Sequence, residues 1–276
     1  MHGGHIPVRM LMHGIGTQEL DKVVDQRNRR PTKILDAIIE ALLEIRFEMT
    51  GIPEVLFGRM ADSPQWKGFQ KRNMPAYNIP AQMRTLDPGL RYQPILEMVD
   101  SAESPTCALR IGPQVLSFHN LNRYMGWQQF QLELEKAVAS LFKSADGISV
   151  QRLGLRYLNA LRSDVHRISS IADMNIRTTV AGAQLQSSLN VNFLKRPSDK
   201  SIAAVKIATK DLVAGFNIPE STTVFVDVDV YTPEGYATRD QAEINRWIAD
   251  AHEQEKDEFF NLLTPETTKF LEDSAT

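Results

Sequence analysis

Apolar and polar residues alternate along residues 38–48. Ile39, Ala41, Leu43, Ile45 and Phe47 share one side, with Glu40, Glu44 and Arg46 opposite. Ile38, Leu42 and Ile45 would also fit a helical face, but alternation covers more positions, so the stretch predicts a strand. Pro53 introduces a short helix over 52–60. Residues 61–90 hold prolines at 64, 75, 80 and 88 and read as a long irregular connection. Strands follow over 92–100, 106–111 and 114–120, divided by a Ser-Pro turn and by Gly112-Pro113. Trp127, Phe130, Leu134, Ala137, Val138 and Leu141 then recur at helical spacing, which predicts an amphipathic helix over 126–143.

The same order starts again. A strand is expected over 150–162, a short helix near 164–174, and strands over 183–195, 201–209 and 222–231. Ile244, Trp247, Ile248, Ala251, Phe259 and Leu262 line a long helix over 239–262. Thr264-Pro265-Glu266 has the cap, the first-turn proline and the acid that open a final short helix, reaching Leu271. The pattern predicts an α+β protein of two tandem β-α-β-β-β-α halves, 34–147 and 148–276, packed as one globular unit. Consecutive strands joined by tight turns pair antiparallel. Each half then needs one amphipathic helix over its apolar sheet face. The expected result is a curved antiparallel sheet with two long helices on one face. This order is similar to the repeat of the TATA-binding protein saddle and to helix-grip folds. Residues 1–33 are an extension that reads as a mobile arm.

The opposite sheet face carries the candidate chemistry. In "GLRYLN" at 154–159 and its flanks, Leu153, Leu155, Tyr157 and Leu161 point one way, and Arg152, Gly154, Arg156 and Leu158 the other. In "VFVDVDVY" the valines 224, 226, 228 and 230 point inward, Asp227 and Asp229 outward. The open face therefore collects Arg46, Arg152 and Arg156 with Glu44, Asp227 and Asp229. One reading is cross-strand ion pairs on a solvated sheet. The other is a charged binding surface for a partner, peptide or ligand, because arginine recognises carboxylates and phosphates in bidentate fashion. Trp66, Tyr77 and Met74, on the proline-rich connection, are either interface anchors or a cover for the sheet edge.

The chain has 276 residues, 42% of them hydrophobic, enough for one substantial core or two small ones. A net charge of −3 and a pI of about 6.1 give no general attraction to nucleic acid or anionic lipid. "DQRNRR" at 25–30 is the one arm-like basic cluster, so nucleic acid is the weaker expectation for a partner. Cys107 is the single cysteine, which fits a reducing compartment and a cytoplasmic protein. No apolar run approaches the roughly 20 residues of a membrane span, so no membrane is expected as a partner.

Signatures of catalysis are missing: G-x-S-x-G, a Walker A loop, H-E-x-x-H and C-x-x-C do not occur. "GIGTQE" at 14–19 lacks the third glycine of a dinucleotide loop. His2, His5 and His13 lack fixed metal geometry, and Asp227 with Asp229 makes a poor cage. Cys107 reads as a small core residue, His119 as a lone histidine and His252 as a helix-surface residue. No cofactor or metal is expected.

Together, "EIRF" at 44–47, "LRYQP" at 90–94, "GW-x-x-F" at 126–130, "GLRYLN" at 154–159 and "FFNLLTPE" at 259–266 resemble a sporadically distributed family of uncharacterised bacterial proteins, over residues 34–272. The resemblance implies a fold and a bacterial or mobile-element setting such as phage defence or toxin–antitoxin loci. It brings no catalytic residues. The expected role is non-catalytic binding of a protein partner or of a second copy, within a regulatory component. A small-ligand binder or enzyme with a pocket between sheet and helices is the alternative, and nucleic-acid binding through the sheet face a further one.

Overall fold

The computed structural model describes residues 36–184 and 188–273. The extension at 1–33, with its histidines and "DQRNRR", lies outside them. β1 (Ile38–Glu48) leads into α1 (Pro53–Ala61), β2 (Gln70–Asn73), α2 (Ala81–Leu86), β3 (Leu96–Val99), β4 (Cys107–Gly112), β5 (Val115–Leu121) and α3 (Trp127–Ser144). β6 (Ser149–Arg162), α4 (Ser163–His166), a two-residue hairpin of β7 (Thr179–Val180) and β8 (Ala183–Gln184), β9 (Asn190–Ser198), β10 (Ser201–Thr209), β11 (Thr222–Tyr231), α5 (Gln241–Asn261) and α6 (Pro265–Asp273) complete the chain. Among the described residues, no helix is long and apolar enough to cross a membrane.

Among the described residues, nine strands form one antiparallel sheet in the order β2-β3-β4-β5-β1-β6-β11-β10-β9. Outward from the central β1–β6 pair, the strands run β1, β5, β4, β3 on one side and β6, β11, β10, β9 on the other. In chain order that is first, last, middle, early on both sides. The connection at 61–90 is less irregular than its prolines suggest. It holds 3₁₀ turns at Pro64–Trp66 and Pro75–Asn78, the short helix α2, and β2, which extends the sheet edge beyond β3. Prolines start these short turns, where the missing N–H costs nothing.

Ala41, Leu43, Ile45 and Phe47 of β1 are buried, as are Leu153, Leu155 and Tyr157 of β6 and Val224, Val226, Val228 and Val230 of β11. They face Phe130, Leu134, Val138 and Leu141 of α3 and Ile244, Ile248, Ala251 and Phe259 of α5 in one continuous core. Two register shifts between β1 and β6, at Ile38/Glu40 and at Arg46/Phe47, leave Ile39 and Gln151 as extra residues. Such bulges increase local twist. Gly147 makes the turn from α3 into β6 at φ +61°, where a Cβ would come within 2.4 Å of Thr50 Oγ1.

A polar thread crosses this core where the two helices meet. The Tyr157 hydroxyl lies 3.1 Å from the Tyr124 hydroxyl and 3.3 Å from His252 Nδ1. The His252 ring stacks on Trp127 at 3.7 Å. His252 is thus a buried residue of the α3–α5 interface, correcting its placement on a helix surface. The 3.6-residue period puts it only one turn from Ile248, and the second helix closes over it.

Candidate functional site

The sheet face turned away from α3 and α5 carries a ladder of charge across seven strands. At one end of β1, Arg46 Nε donates to Glu44 Oε1 at 2.8 Å, and Arg152 Nη1 donates to the same oxygen at 2.9 Å. Arg152 Nη2 reaches Asp229 Oδ2 at 3.5 Å. Each guanidinium also lies over a tyrosine, Arg46 over Tyr92 at 4.6 Å and Arg152 over Tyr231 at 4.7 Å. Gly154 leaves the space for this arrangement, since a Cβ there would stand 3.0 Å from Arg152 Nη1 and 3.4 Å from Asp229 Oδ1.

Arg156 holds Asp227 in a fork, Nε to Oδ1 at 2.8 Å and Nη2 to Oδ2 at 2.6 Å. That hydrogen bonding raises the Arg156 pKa further against the opposing effect of burial. The Asp229 pKa is raised as well, which for a carboxyl favours the neutral form. Burial raises its pKa, Asp227 and Glu44 add to the rise, and Arg152 and Arg156 only partly offset it. The guanidinium inside "GLRYLN" is therefore bound to a nearly buried carboxylate on the neighbouring strand.

Beside this pair, a groove of about 360 Å³ runs over β10 and β9, lined by Arg156, Asp227, Asp229, Lys206, Asn192 and Leu194. Lys206 sits opposite both Asp227 and Asn192 in register. Leu194 is 68% exposed.

A third group lies toward the other edge. Arg72 and Arg110 both bind Glu97, at 2.5 and 2.8 Å, and hold its pKa down although burial acts to raise it. Glu40 Oε1 lies 2.6 Å from His119 Nδ1, and Ser117 Oγ lies 2.8 Å from His119 Nε2. Arg110 Nη1 stands 3.4 Å from both ring nitrogens. His119 therefore has a partner on each ring nitrogen and is not a lone histidine. Its alternation with Ser117 was visible in "VLSFHN"; Glu40 comes next to it only through β1–β5 pairing, 79 residues away.

The structure thus brings Glu44, Arg46, Arg152, Arg156, Asp227 and Asp229 onto one face, as expected. Trp66 is different. It is 2% exposed, with its ring edge-on to Phe69 and tilted against Phe118, so it packs in the core and offers no contact surface. Tyr77 is exposed and Met74 half-buried at the β2 edge. The Cys107 thiol is raised to about 11 by burial, with Asp100 adding to the effect, so the thiolate needed for nucleophilic attack is disfavoured. Among the described residues, no group of three or more metal-ligating side chains occurs. Compared with protein-family models and with curated proteins, the chain matches none.

Proposed function

We propose that the chain binds a protein partner through the open sheet face, as a cytoplasmic regulatory component of a bacterial accessory system. The observation that carries this reading is the groove over β9 and β10. There an exposed leucine, Leu194, and a lysine that pairs with no carboxylate among the described residues, Lys206, flank the charged ladder. An apolar anchor beside a cation fits a protein segment that supplies an apolar side chain and a carboxylate. The setting rests on the resemblance to the bacterial family, and the mirrored strand order supports two tandem copies of one unit bent into a saddle. The rival pocket between sheet and helices has less support, because Phe118, Phe130, Leu43 and Tyr157 fill that space. Nucleic acid draws on dense positive charge. This face instead sets Arg46, Arg72, Arg110, Arg152 and Arg156 against Glu40, Glu44, Glu97, Asp227 and Asp229.

The test is affinity purification of the tagged chain from its own source cells, with mass spectrometry of what co-purifies. A stoichiometric companion, or a second copy, is the expected result. A chain that emerges alone and monomeric overturns the reading.

A further inference from the structure

The group at Glu40, His119 and Ser117 goes beyond binding. We propose that Ser117 is a nucleophile activated by His119, with Glu40 as the residue that positions the imidazole, and that the site acts on esters or similarly activated acyl groups.

The protonation pattern follows from the contacts. Hydrogen bonding to His119 and the positive Arg110 and Arg156 hold the Glu40 pKa down, outweighing burial. Glu40 is thus an ionised acceptor. Burial lowers the His119 pKa, Arg110 acts the same way, and Glu40 and Glu97 only partly oppose them. The neutral ring must then carry its proton on Nδ1, facing Glu40, and present a lone pair on Nε2. The Ser117 hydroxyl donates to that lone pair. This is the chain of contacts by which a serine is activated elsewhere: nucleophile to base at 2.8 Å, base to orienting carboxylate at 2.6 Å. Arg110 lies directly opposite Ser117 in register, with Nε committed to Glu97 and Nη1 3.4 Å from both nitrogens of the His119 ring. It is the cation available to a developing oxyanion. Ser117 keeps 7% exposure and His119 5%; the other side of β5 is sealed by the core, so this exposure opens onto the free face.

In the step itself, Ser117 Oγ bonds to the acyl carbon while its proton passes to His119 Nε2. The bond to the leaving alcohol breaks, and that alcohol takes the proton from Nε2. Water, deprotonated by His119 Nε2, then bonds to the acyl carbon; the acyl bond to Ser117 Oγ breaks to release the acid, and Oγ takes the proton back from Nε2.

The test uses the full chain and a fluorophosphonate, which forms a phosphorus–oxygen bond to an activated serine and expels fluoride. Mass spectrometry of the labelled protein is expected to place the adduct on the peptide containing Ser117. His119→Ala is expected to slow labelling by about a hundredfold or more. Glu40→Gln is expected to shift the midpoint of the rate–pH profile to lower pH, because it removes the carboxylate that favours the imidazolium. Glu44, opposite Ser117, and Arg110 and Glu97 remain to set the residual profile. No adduct on wild-type protein, or an adduct elsewhere, overturns the proposal whether or not the variants fold. So does a Glu40→Gln profile that coincides with wild type.

Discussion

Arg156 and Asp227 show how a single pair can be more than surface charge. Asp227 is nearly buried, and both of its oxygens are taken by one guanidinium. Removing the arginine leaves a carboxylate with little water to replace it. Arg156→Ala is expected to cost about 3 kcal/mol in chemical denaturation, the lower end for a broken buried pair, and Arg156→Lys less. A loss below about 1 kcal/mol would place the pair among ordinary surface bridges and contradict this. His119 makes a pH prediction. Its pKa in the fold lies below that of a free histidine, so the unfolded chain takes up its proton first as pH falls through about 6.5. Protons then favour unfolding, and stability drops from pH 7 toward pH 5. Glu40 and Glu97, also depressed, add their loss at lower pH, while the raised Asp229 acts in the opposite direction. His119→Gln is expected to flatten the urea midpoint between pH 7 and pH 5; parallel curves for variant and wild type would contradict it.

Among the elements, most strands and the two long helices were legible because their periods, 2 and 3.6, are written in the positions of valine, leucine and phenylalanine; β2 lies in the stretch read as irregular, and the strand expected over 183–195 divides into β8 and a separate β9. The period-2 pattern also put Glu44, Arg46, Arg152, Arg156, Asp227 and Asp229 on one face, Arg152 despite the bulge at Gln151, but did not reach Arg72, Glu97, Arg110 or Lys206. What it could not give was the neighbour of each strand. The relay at His119 needs β1 beside β5, and the burial of His252 needs α3 beside α5. Trp66 stood between anchor and cover for a related reason: only the 3₁₀ turn at Pro64–Trp66, which folds it inward, decides against the anchor. The α3–α5 contact makes its own prediction. Tyr157→Phe deletes the hydroxyl shared by Tyr124 and His252 while keeping the ring that packs against Phe130. It is expected to cost about 1–2 kcal/mol in chemical denaturation. An unchanged stability would mean that the thread contributes nothing to joining the helices.

In the whole molecule, one sheet serves two purposes. Its helix-facing side is apolar and filled, and its other side is left to charge. Burial thus fixes the strands from one direction, and cross-strand ion pairs tie the side chains of the other. The most direct test of the contact surface compares two exposed leucines on opposite sides of the molecule: Leu194 in the groove and Leu132 on α3, 53% exposed. Co-purification from source cells would be measured for Leu194→Asp with Lys206→Glu and for Leu132→Asp, each checked for an unchanged unfolding midpoint. Loss of the companion with the groove variant and its retention with the helix variant is the predicted result. Retention by the groove variant, or loss with the helix variant alone, would contradict a partner held on the open face.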